Sequence, residues 1–352
     1  MKRETSRGCD RQPSRMANDE TVVAAVCGMH DTRSLSRGVR VLEDPIEPDE
    51  PEPLETRVDR LWAFAARAVI RTTMAGLAVV VLALLNNNYA VRRLTRDEFL
   101  LRLERSIESA TSWLAVRSDF FGNPALMFMI MDMEKMSGDP RLQRLLDDYR
   151  KSTFVSNPNN PLHTVWAQMV DAQKTVPVID ARSVPAGDIH EILWVAHAIA
   201  PNRVLISPEE RANLFSRTKY FWGRRNHQLF ALDSYRYYNG RSSELDSTLA
   251  HLAKKVARDE HFDFRVNDTY PQRIAFVLAA QHPDLIRSRW VERVINNQDA
   301  DGHWSYCWYS WCKGVMDFSA NDPDPSHATV QAAWALTLLK HRFPQWIERN
   351  YQ

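Results

Sequence analysis

Polar side chains recur where one apolar segment after another begins, and their types suit proton transfer and anion binding. The recurring residues are Asn123, His163, His190, Asn226 with His227, Tyr270, and Ser326 with His327. Imidazole and phenol groups can transfer protons, and the free N–H groups at a helix N-terminus attract negative charge. If these helices start at one rim, we expect the set to bind a carboxylate, a diphosphate or a developing oxyanion.

One group of residues is predicted to catalyse the reaction, and a second group is predicted to bind the substrate. The candidate catalytic residues are His227, His327, Asp301, His303 and Tyr270. The candidate substrate-binding residues are Asn226, Arg225, His190, His163, Trp304 and Trp334. Arg224, Arg225 and Arg273 lie close in sequence and would add charge-assisted hydrogen bonds to an anionic group. The expected ligand is a lipid-like or anionic small molecule, and no cofactor is assigned.

The run QDADGHW, from Gln298 to Trp304, predicts a tight corner between two antiparallel helices. Gly302 can adopt a backbone conformation closed to other residues, and Trp304 can cover the exposed ends of both helices. Asp301 and His303 lie within this corner, and His327 begins the helix that follows. The corner is therefore expected to fix the fold and to help build the rim.

The charge balance excludes one class of partner. The chain of 352 residues has 45 Lys and Arg against 44 Asp and Glu, so we expect no nucleic-acid partner. Its 44% of hydrophobic residues can form one large core or two small ones. Four cysteines are too few for a disulfide framework.

Three regions differ in composition. Residues 1–56 are polar and proline-rich, and they bury too little apolar surface to offset their ordering entropy, which predicts a disordered leader. Residues 57–93 contain the apolar run Leu61–Leu85. Because a spanning helix needs about 20 apolar residues, we predict a membrane anchor in a lipid bilayer, with Arg71 reaching towards the interface. Residues 94–352 form the third region.

Other interpretations of the apolar run stay open. Arg67 and Arg71 share one face, so an amphipathic surface helix is possible, as is a buried core helix. A cleaved signal peptide is not expected, because the run begins far from Met1. Arginines flank both ends of the run, so its orientation in the membrane, and the side on which the third region lies, stay open.

The third region predicts helices almost throughout. Thr95 with Glu98, and Ser207 with Glu210, form capping boxes. No alternating run is long enough for a sheet, and no glycine-rich phosphate loop is present, which excludes the doubly wound nucleotide-binding folds. The fold class is therefore predicted to be all-α.

Strongly apolar segments alternate with amphipathic helices at a spacing of about 40 residues. In a closed double ring the inner helices are apolar on nearly every side, whereas the outer helices need one apolar stripe. Six such pairs predict an (α/α)6 toroid, or barrel, preceded by the membrane-anchor helix. An open α-solenoid would show the same alternation and stays an alternative.

The QDADGHW corner carries a family resemblance. Gln298, Gly302 and Trp304, framed by an outer and an inner helix, resemble the QW-type repeat of the squalene/terpenoid-cyclase and protein-prenyltransferase superfamily. The stretch around Gly122 resembles a degenerate copy. The resemblance covers about residues 95–350 and implies a toroid that handles isoprenoid or other lipid-like substrates in an apolar central cavity.

The chain departs from that superfamily at its catalytic motifs. Asp322 and Asp324 are the counterpart of the cyclases' acidic motif, but a third carboxylate is missing. The resemblance to prenyltransferases implies a zinc site, whose ligand spacing differs here. The candidate ligands are His327, Cys307, and Asp301 or Cys312. Unligated cysteines or a short disulfide are the alternatives, and we assign no metal.

Three functions stay open, and each predicts a different cavity. A cyclase- or transferase-like enzyme for lipids or isoprenoids, the function we favour, predicts a deep apolar cavity. Its expected lining is Trp194, Phe276, Trp304 and Trp334. A binding module without catalysis predicts a plugged cavity and a contact surface. That surface would contain Trp308, Tyr309 and Trp311.

The remaining alternative is a polysaccharide lyase or glycosidase-like enzyme for anionic glycans. The cluster Arg225-Asn226-His227, with Tyr235 and Tyr238, resembles the sites of toroidal lyases. There, Asn or Arg neutralises a uronate carboxylate while His or Tyr removes a proton. This function predicts an open, basic, tyrosine-lined cleft.

Overall fold

The structure is a computed structural model that describes residues 54–89, 94–152, 162–173, 175–181, 190–263, 268–305 and 325–351. For Leu54, Arg57, His163, His190 and Trp222 it describes the backbone alone. The predicted leader lies outside these ranges except for its last three residues. Contacts divide the chain into two units, residues 1–62 and residues 63–352. The first unit contributes the start of one helix, and the second contains the other helices.

The described residues are mostly helical, which confirms the all-α prediction. The helices are α1 (Leu54–Asn88), α2 (Arg96–Leu114), α3 (Pro124–Ser137), α4 (Pro140–Lys151), α5 (Leu162–Ala167), α6 (His190–Ile199), α7 (Pro208–Leu214), α8 (Trp222–Asn239), α9 (Ser243–Phe262), α10 (Thr269–Ala279), α11 (Ser288–Asn296), α12 (Pro325–Arg342) and α13 (Pro344–Asn350). Short 3-10 helices span Asp119–Gly122 and Pro283–Leu285. Two-residue strands β1 (Ile179–Asp180) and β2 (Val204–Leu205) pair in parallel, with Ile179 opposite Val204.

Local sequence signals set the helix starts. The Thr95 side chain accepts a hydrogen bond from the Glu98 backbone N–H, and the Thr95 backbone N–H donates to the Glu98 carboxylate. Ser207 likewise accepts from the Glu210 N–H at 3.1 Å, with Pro208 at the first helical position. Each bond satisfies an N–H that has no partner within its helix. The capping box predicted at Thr95 is therefore confirmed, and at Ser207 the structure shows the serine half of the predicted box.

α1 differs from the other helices because its apolar side chains are exposed. Val58–Asn88 is long and apolar enough to cross a membrane, by length and composition. Its most apolar window is not buried, so the alternative of a buried core helix is wrong. Phe64, Leu77 and Leu82 are each more than half exposed. The helix ends in three asparagines, of which Asn87 and Asn88 are buried.

Six helices carry the apolar segments that were predicted to be inner: α3, α5, α6, α8, α10 and α12. In α12 every residue from Ala328 to Leu339 is buried, which leaves no solvent-facing stripe in that stretch. Each of the six helices packs against the next in this order, and α12 packs against α3. The last of the six apolar helices therefore contacts the first.

Amphipathic helices lie beside these six. α4 packs against α3, α9 against α8 and α10, and α11 against α10. The buried residues of α4 share one stripe: Leu142, Leu145, Leu146 and Tyr149. Such a stripe is what an outer helix needs.

The segment between α5 and α6 departs from the alternation. α5 has only six residues, and the described part of this segment contains a turn and β1 in place of an outer helix. Proline and β-branched residues at Val176, Pro177 and Val178 explain the difference, because they favour extended backbone over helix.

Aromatic rings fill the space between α3, α8, α10 and α12. Phe230 and Phe276 stack with ring centroids 4.8 Å apart. Trp334 meets both rings edge-on at 6.4 and 6.3 Å, and Phe128 packs on Phe230 and Trp334. The Trp334 indole N–H donates to Asp132 of α3 at 2.8 Å. This aromatic cluster (Phe128, Phe230, Phe276 and Trp334) joins four of the six helices.

The corner after α11 has the predicted backbone conformation. Gly302 has a φ of 103°, which side-chain-bearing residues rarely adopt. The Gln298 amide donates to the carbonyl of Gly302 at 2.8 Å and to the carbonyl of Ser106 in α2 at 2.8 Å. The Trp304 indole N–H donates to the carbonyl of Val294 in α11 at 2.7 Å, and its backbone N–H donates to the Thr329 hydroxyl of α12. The corner therefore holds α2, α11 and α12 together.

Candidate functional site

A cavity of about 240 Å³ opens where the six apolar helices begin. Each helix contributes to its wall from its first three turns or from its cap. The residues on which its chemistry depends are Asn123 (α3), Trp166 (α5), Ile192 (α6), His227 and Phe230 (α8), Gln272 and Phe276 (α10), and His327 and Gln331 (α12). The wall is therefore apolar with a few amide and imidazole groups, as is usual for a small-molecule site.

His227 lies on the second turn of α8, and its ring is partly exposed. Its Nδ1 is 3.0 Å from the Gly223 carbonyl and 3.5 Å from the Glu191 carboxylate of α6. Both neighbours are acceptors, so they favour the tautomer that carries its proton on Nδ1. Phe276 packs edge-on against the ring at 6.4 Å. In this tautomer Nε2 is the nitrogen that can accept a proton.

His327, at the start of α12, has the same type of support from a different helix. Its Nδ1 is 3.4 Å from the Asp268 carboxylate, at the start of α10. Its Nε2 is 3.2 Å from the amide nitrogen of Gln331, one helical turn later. The two histidines thus each place Nδ1 against a carboxylate of the neighbouring helix. A carboxylate in this position orients an imidazole and fixes its tautomer.

Buried amides surround the two histidines. Asn226 is fully buried, and its Nδ2 donates to the Gln272 side-chain oxygen at 3.2 Å. Within the described residues, neither the Asn226 Oδ1 nor the Gln331 Oε1 accepts a hydrogen bond. Buried acceptors usually have a partner. The Asn226 Oδ1 and the Gln331 Oε1 are therefore exceptions to this rule among the described residues.

The predicted set of rim residues is only partly brought together. Asn123, His227 and His327 line the cavity, as the positions of the apolar segments predicted. Asn123 also caps α3, where its side chain accepts from the Ala125 N–H at 3.1 Å. Asn226 does not line the cavity; it lies behind Gln272. The side chains of His163 and His190 are outside the described residues, although Trp166 and Ile192 of the same helices line the wall.

Two of the three arginines predicted to bind an anion, Arg225 and Arg273, are used inside the fold, whereas Arg224 is exposed. Arg225 pairs with Asp259 at 2.6 Å and donates to the Tyr220 carbonyl, and its side chain is 4% exposed. Arg273 pairs with Asp263 at 2.8 Å and with Glu260 at 3.1 Å. Ion pairs of buried guanidinium groups are costly to break, because a buried charge is then left alone. In this structure the two arginines therefore bind carboxylates of the fold and do not line the cavity.

Tyr270 is fully buried and does not line the cavity. Its hydroxyl donates to the Asn87 side-chain oxygen at 2.8 Å. Burial raises the pKa of Tyr270 well above its ordinary value, and the Glu260 carboxylate adds to this effect. The structure therefore does not bring Tyr270 into the cavity wall with His227 and His327.

Asp301 and His303 lie at the corner after α11 and do not line the cavity. The His303 Nδ1 is 2.5 Å from the Asp301 carboxylate, and its ring stacks on Trp113 at 5.3 Å. Desolvation works against ionisation of Asp301, but the hydrogen bond and charge of His303 outweigh it and lower the pKa of this carboxyl. The pair stabilises the corner and is separate from the two cavity histidines.

The predicted aromatic lining is mostly wrong. Of Trp194, Phe276, Trp304 and Trp334, only Phe276 lines the cavity. Trp304 packs in the corner, Trp334 belongs to the aromatic cluster, and Trp194 bonds Glu210 and packs on Tyr220. Their size explains the outcome, because large rings fill the core and leave little space there.

Several predicted residues fall outside the described part of the chain. They are Cys307, Trp308, Tyr309, Trp311, Cys312, Asp322 and Asp324. Among the described residues no group of three or more His, Cys, Asp or Glu side chains could hold a metal ion. His327 faces Asp268, and Asp301 faces His303, so the described ligands of the zinc hypothesis already have other partners.

Sequence reasoning missed the carboxylates and amides that support the histidines. Gln331 follows His327 by four residues, so helical spacing alone could have placed it on the same face. Asp268 and Glu191 meet their histidines from neighbouring helices, and only the packing of those helices reveals the pairing.

A second polar cluster lies on the later turns of α3, α8 and α12. Burial raises the pKa of Asp233 to about 6, although the Arg236 ion pair at 2.5 Å works in the opposite direction. Asp132 raises this pKa further, and Asp132 itself pairs with Arg342 at 2.5 Å. No sequence signal marked these residues.

Comparisons of the chain with protein-family models, with characterised proteins and with solved structures gave no match. The site has two partly exposed imidazoles, each oriented by a carboxylate, at an apolar cavity. Chemically, this arrangement can take a proton from a bound molecule at one position and give a proton at another.

Proposed function

We propose that the protein is a membrane-tethered enzyme that converts a small lipid-like or isoprenoid-like molecule by general acid–base catalysis, as a cyclase or transferase does. The observation that carries the proposal is the pair His227 and His327, each with Nδ1 against a carboxylate of the neighbouring helix, at one cavity. One imidazole accepts a proton at Nε2 while the other donates one, and Glu191 and Asp268 hold the two rings in orientation.

The fold we propose is an (α/α)6 toroid. Two observations support it. Each of the six apolar helices packs against the next and α12 packs against α3, and residues from the first turns of all six line the cavity. An open solenoid would leave its first and last helices apart. In the toroid, α2, α4, α9 and α11 are outer helices, and the corner at Gly302 is the turn from the last outer helix to the last inner one.

The walls and size of the cavity support a short apolar ligand. Leu126, Met129, Phe230 and Phe276 line it, so a hydrocarbon part is favoured. A volume of about 240 Å³ is below the roughly 300–1,000 Å³ of drug-sized sites. A short isoprenoid, or one end of a longer lipid, therefore suits this cavity better than a large polycyclic product. No step is assigned to a metal.

The proposal is tested by activity of the full-length protein in mild detergent. The substrates are a total membrane lipid extract and a series of polyprenyl alcohols and diphosphates, with products detected by mass spectrometry. We expect conversion by the wild type and a loss of about 100-fold or more in His227→Gln and in His327→Gln. His341→Gln is the control, because His341 is exposed near the end of α12. Conversion that survives the double variant His227→Gln/His327→Gln would overturn the proposal.

Binding without turnover is a second candidate function. The aromatic cluster favours it, since Phe230, Phe276 and Trp334 fill the space among the helices and leave only a small cavity at one end. This function predicts that the same lipids co-purify with the protein and are released without chemical conversion. Retention of a lipid by both the wild type and the double histidine variant, without any product, would favour it.

A further inference from the structure

Hydrogen bonds of the Asn87 side chain hold the end of α1 against the domain. Its Nδ2 donates to the carbonyl of Glu260 at 3.0 Å, at the end of α9. Its Oδ1 accepts from the Tyr270 hydroxyl at 2.8 Å and from the guanidinium group of Arg293 in α11. We call these contacts at the end of α1 the joint. All of its groups are buried, so its hydrogen bonds satisfy polar atoms that would otherwise lie unpaired in the core.

Asn86 and Asn88 extend this joint. The Asn88 Nδ2 donates to the carbonyl of His261 at 2.8 Å, and its Oδ1 accepts from the Trp290 indole N–H at 3.2 Å. The Arg289 side chain donates to the Asn86 carbonyl at 2.9 Å and to its side-chain oxygen at 2.7 Å. Three consecutive residues thus hold the end of α1 to α9, α10 and α11.

The joint lies next to the cavity. Tyr270, which bonds Asn87, is on the first turn of α10. Gln272 of the same turn lines the cavity, and Asp268, just before this turn, pairs with His327. Through the first turn of α10, the end of α1 is therefore connected to an element of the cavity wall.

The end of α1 and segments that lead to the cavity helices also expose apolar side chains. Val116 is 85% exposed, Phe221 66%, Phe262 60% and Tyr89 58%. Phe221 directly precedes α8, Phe262 ends the helix before α10, and Val116 follows α2 on the way to α3. These three residues thus lie on segments that lead to the starts of α8, α10 and α3, which surround the cavity. Arg287 stacks on Tyr89 at 5.6 Å. Exposed aromatic and basic groups are typical of membrane–water interfaces.

The length of α1 fits this placement. If Leu85 marks one edge of the hydrocarbon layer, Arg67 lies about 27 Å away along the helix, and the layer is about 30 Å thick. Phe64, which is exposed, lies about 31 Å away, at the opposite interface. Tyr89 lies about 6 Å beyond Leu85, in the headgroup region on the side of the joint.

We propose that the cavity end of the domain rests on the bilayer, with Tyr89, Phe221 and Phe262 in the phospholipid headgroup region and the cavity opening towards it. The inference rests on the proposed membrane tether and deepens it, because a bound lipid reaches the cavity from the membrane surface to which α1 holds the domain. Arg287 then faces the phosphate groups of the lipids.

Photo-cross-linking of the full-length protein tests the contact. The probe p-benzoylphenylalanine replaces Phe221, Phe262 or Tyr237 one at a time, in vesicles of phosphatidylcholine and phosphatidylglycerol. Tyr237 is the matched control: it is 67% exposed and lies on α8, 16 residues or about 24 Å from Phe221. We expect phospholipid adducts from the probe at positions 221 and 262, and adducts at background level from position 237.

A fourth variant, with the probe replacing Leu77 in α1, separates the possible failures. Adducts at position 77 without adducts at 221 and 262, or equal adducts at 237, would overturn the inference and keep the tether. The absence of adducts at position 77 would overturn both. Loss of lipid conversion in the histidine variants is independent of these outcomes, so the proposed chemistry and the proposed surface can fail separately.

Discussion

Ser106 and Gln298 form a reciprocal hydrogen-bonded pair across 192 residues of chain. The Ser106 hydroxyl donates to the Gln298 side-chain oxygen at 2.6 Å, and the Gln298 amide donates to the Ser106 carbonyl at 2.8 Å. The pair joins α2, the first helix after α1, to the corner that follows α11. The corner can make this contact only if Gly302 keeps its backbone conformation, which leads to the first prediction.

Gly302→Ala is expected to destabilise the domain by roughly 3 kcal/mol or more. A Cβ at this position would lie 2.6 Å from the carbonyl carbon of Ser109 and closer still to its oxygen. The positive φ adds strain of its own. The measurement is urea unfolding of the full-length protein in mild detergent, followed by tryptophan fluorescence.

Gly138→Ala is the control for backbone strain alone. Gly138 has a φ of 65°, and a Cβ there would meet nothing within 4 Å. We therefore expect a loss of only about 1 kcal/mol. Equal losses in the two variants would show that the approach of Gly302 to α2 contributes nothing.

The corner shows how much of the fold the sequence predicts. Gly302 and the caps at Thr95 and Ser207 are local features, since residue type and a spacing of a few positions determine them, and all three were predicted correctly. The six apolar segments were also visible, because helices buried on every side lack a polar stripe. The short α5 was missed, since proline and valine beyond it compete with helix locally.

The site was less predictable, because its chemistry depends on neighbours that are distant in sequence. His227 and His327 were found from their positions at segment starts, but Glu191 and Asp268 come from adjacent helices. Arg225 and Arg273 were assigned to a ligand, yet they form ion pairs with carboxylates of α9 and of the residue that follows it. Sequence alone shows an ionisable group without its partner. An arginine that binds a ligand therefore cannot be distinguished from one that forms an ion pair inside the core.

Asn87→Ala is expected to lower the free energy of unfolding by roughly 2–4 kcal/mol. The substitution leaves the Tyr270 hydroxyl without the acceptor to which it donates, and it removes the same acceptor from Arg293. Both groups are buried, so water cannot replace the lost oxygen. The measurement is thermal unfolding in mild detergent at fixed lipid content.

Asn86→Ala is the matched control for this variant. Asn86 belongs to the same joint but is exposed, so its hydrogen bonds to Arg289 exchange readily with water. We expect a change within about 0.5 kcal/mol. If both alanine variants unfold at the wild-type temperature, the joint is not a stabilising contact.

Asp233 is expected to make the domain less stable as the pH rises. Its pKa is about 6 in the folded protein, against an ordinary value of 3.8, because burial disfavours its charge. The folded state therefore binds the proton more tightly, and the free energy of unfolding falls between about pH 4 and about pH 6, by up to roughly 3 kcal/mol.

Asp233→Asn tests this pH dependence, because the amide does not titrate. Burial also raises the pKa of Glu260 and gives a trend of the same sign, so the difference between wild type and variant is the quantity to measure. We expect a shallower fall of stability with pH in the variant. Parallel curves over the whole pH range would contradict the assignment.

Ala125→Trp is expected to remove lipid binding without unfolding the domain. Ala125 lines the cavity on the first turn of α3, and an indole there would occupy much of the roughly 240 Å³. Native mass spectrometry of the full-length protein measures lipid that co-purifies in mild detergent. Ala212→Trp is the control, since Ala212 is exposed on α7 and outside the cavity wall. We expect wild type and Ala212→Trp to retain lipid and Ala125→Trp to lose it. Retention by Ala125→Trp at the wild-type level would mean that the lipid binds elsewhere, because a filled cavity has no space for a second hydrocarbon group.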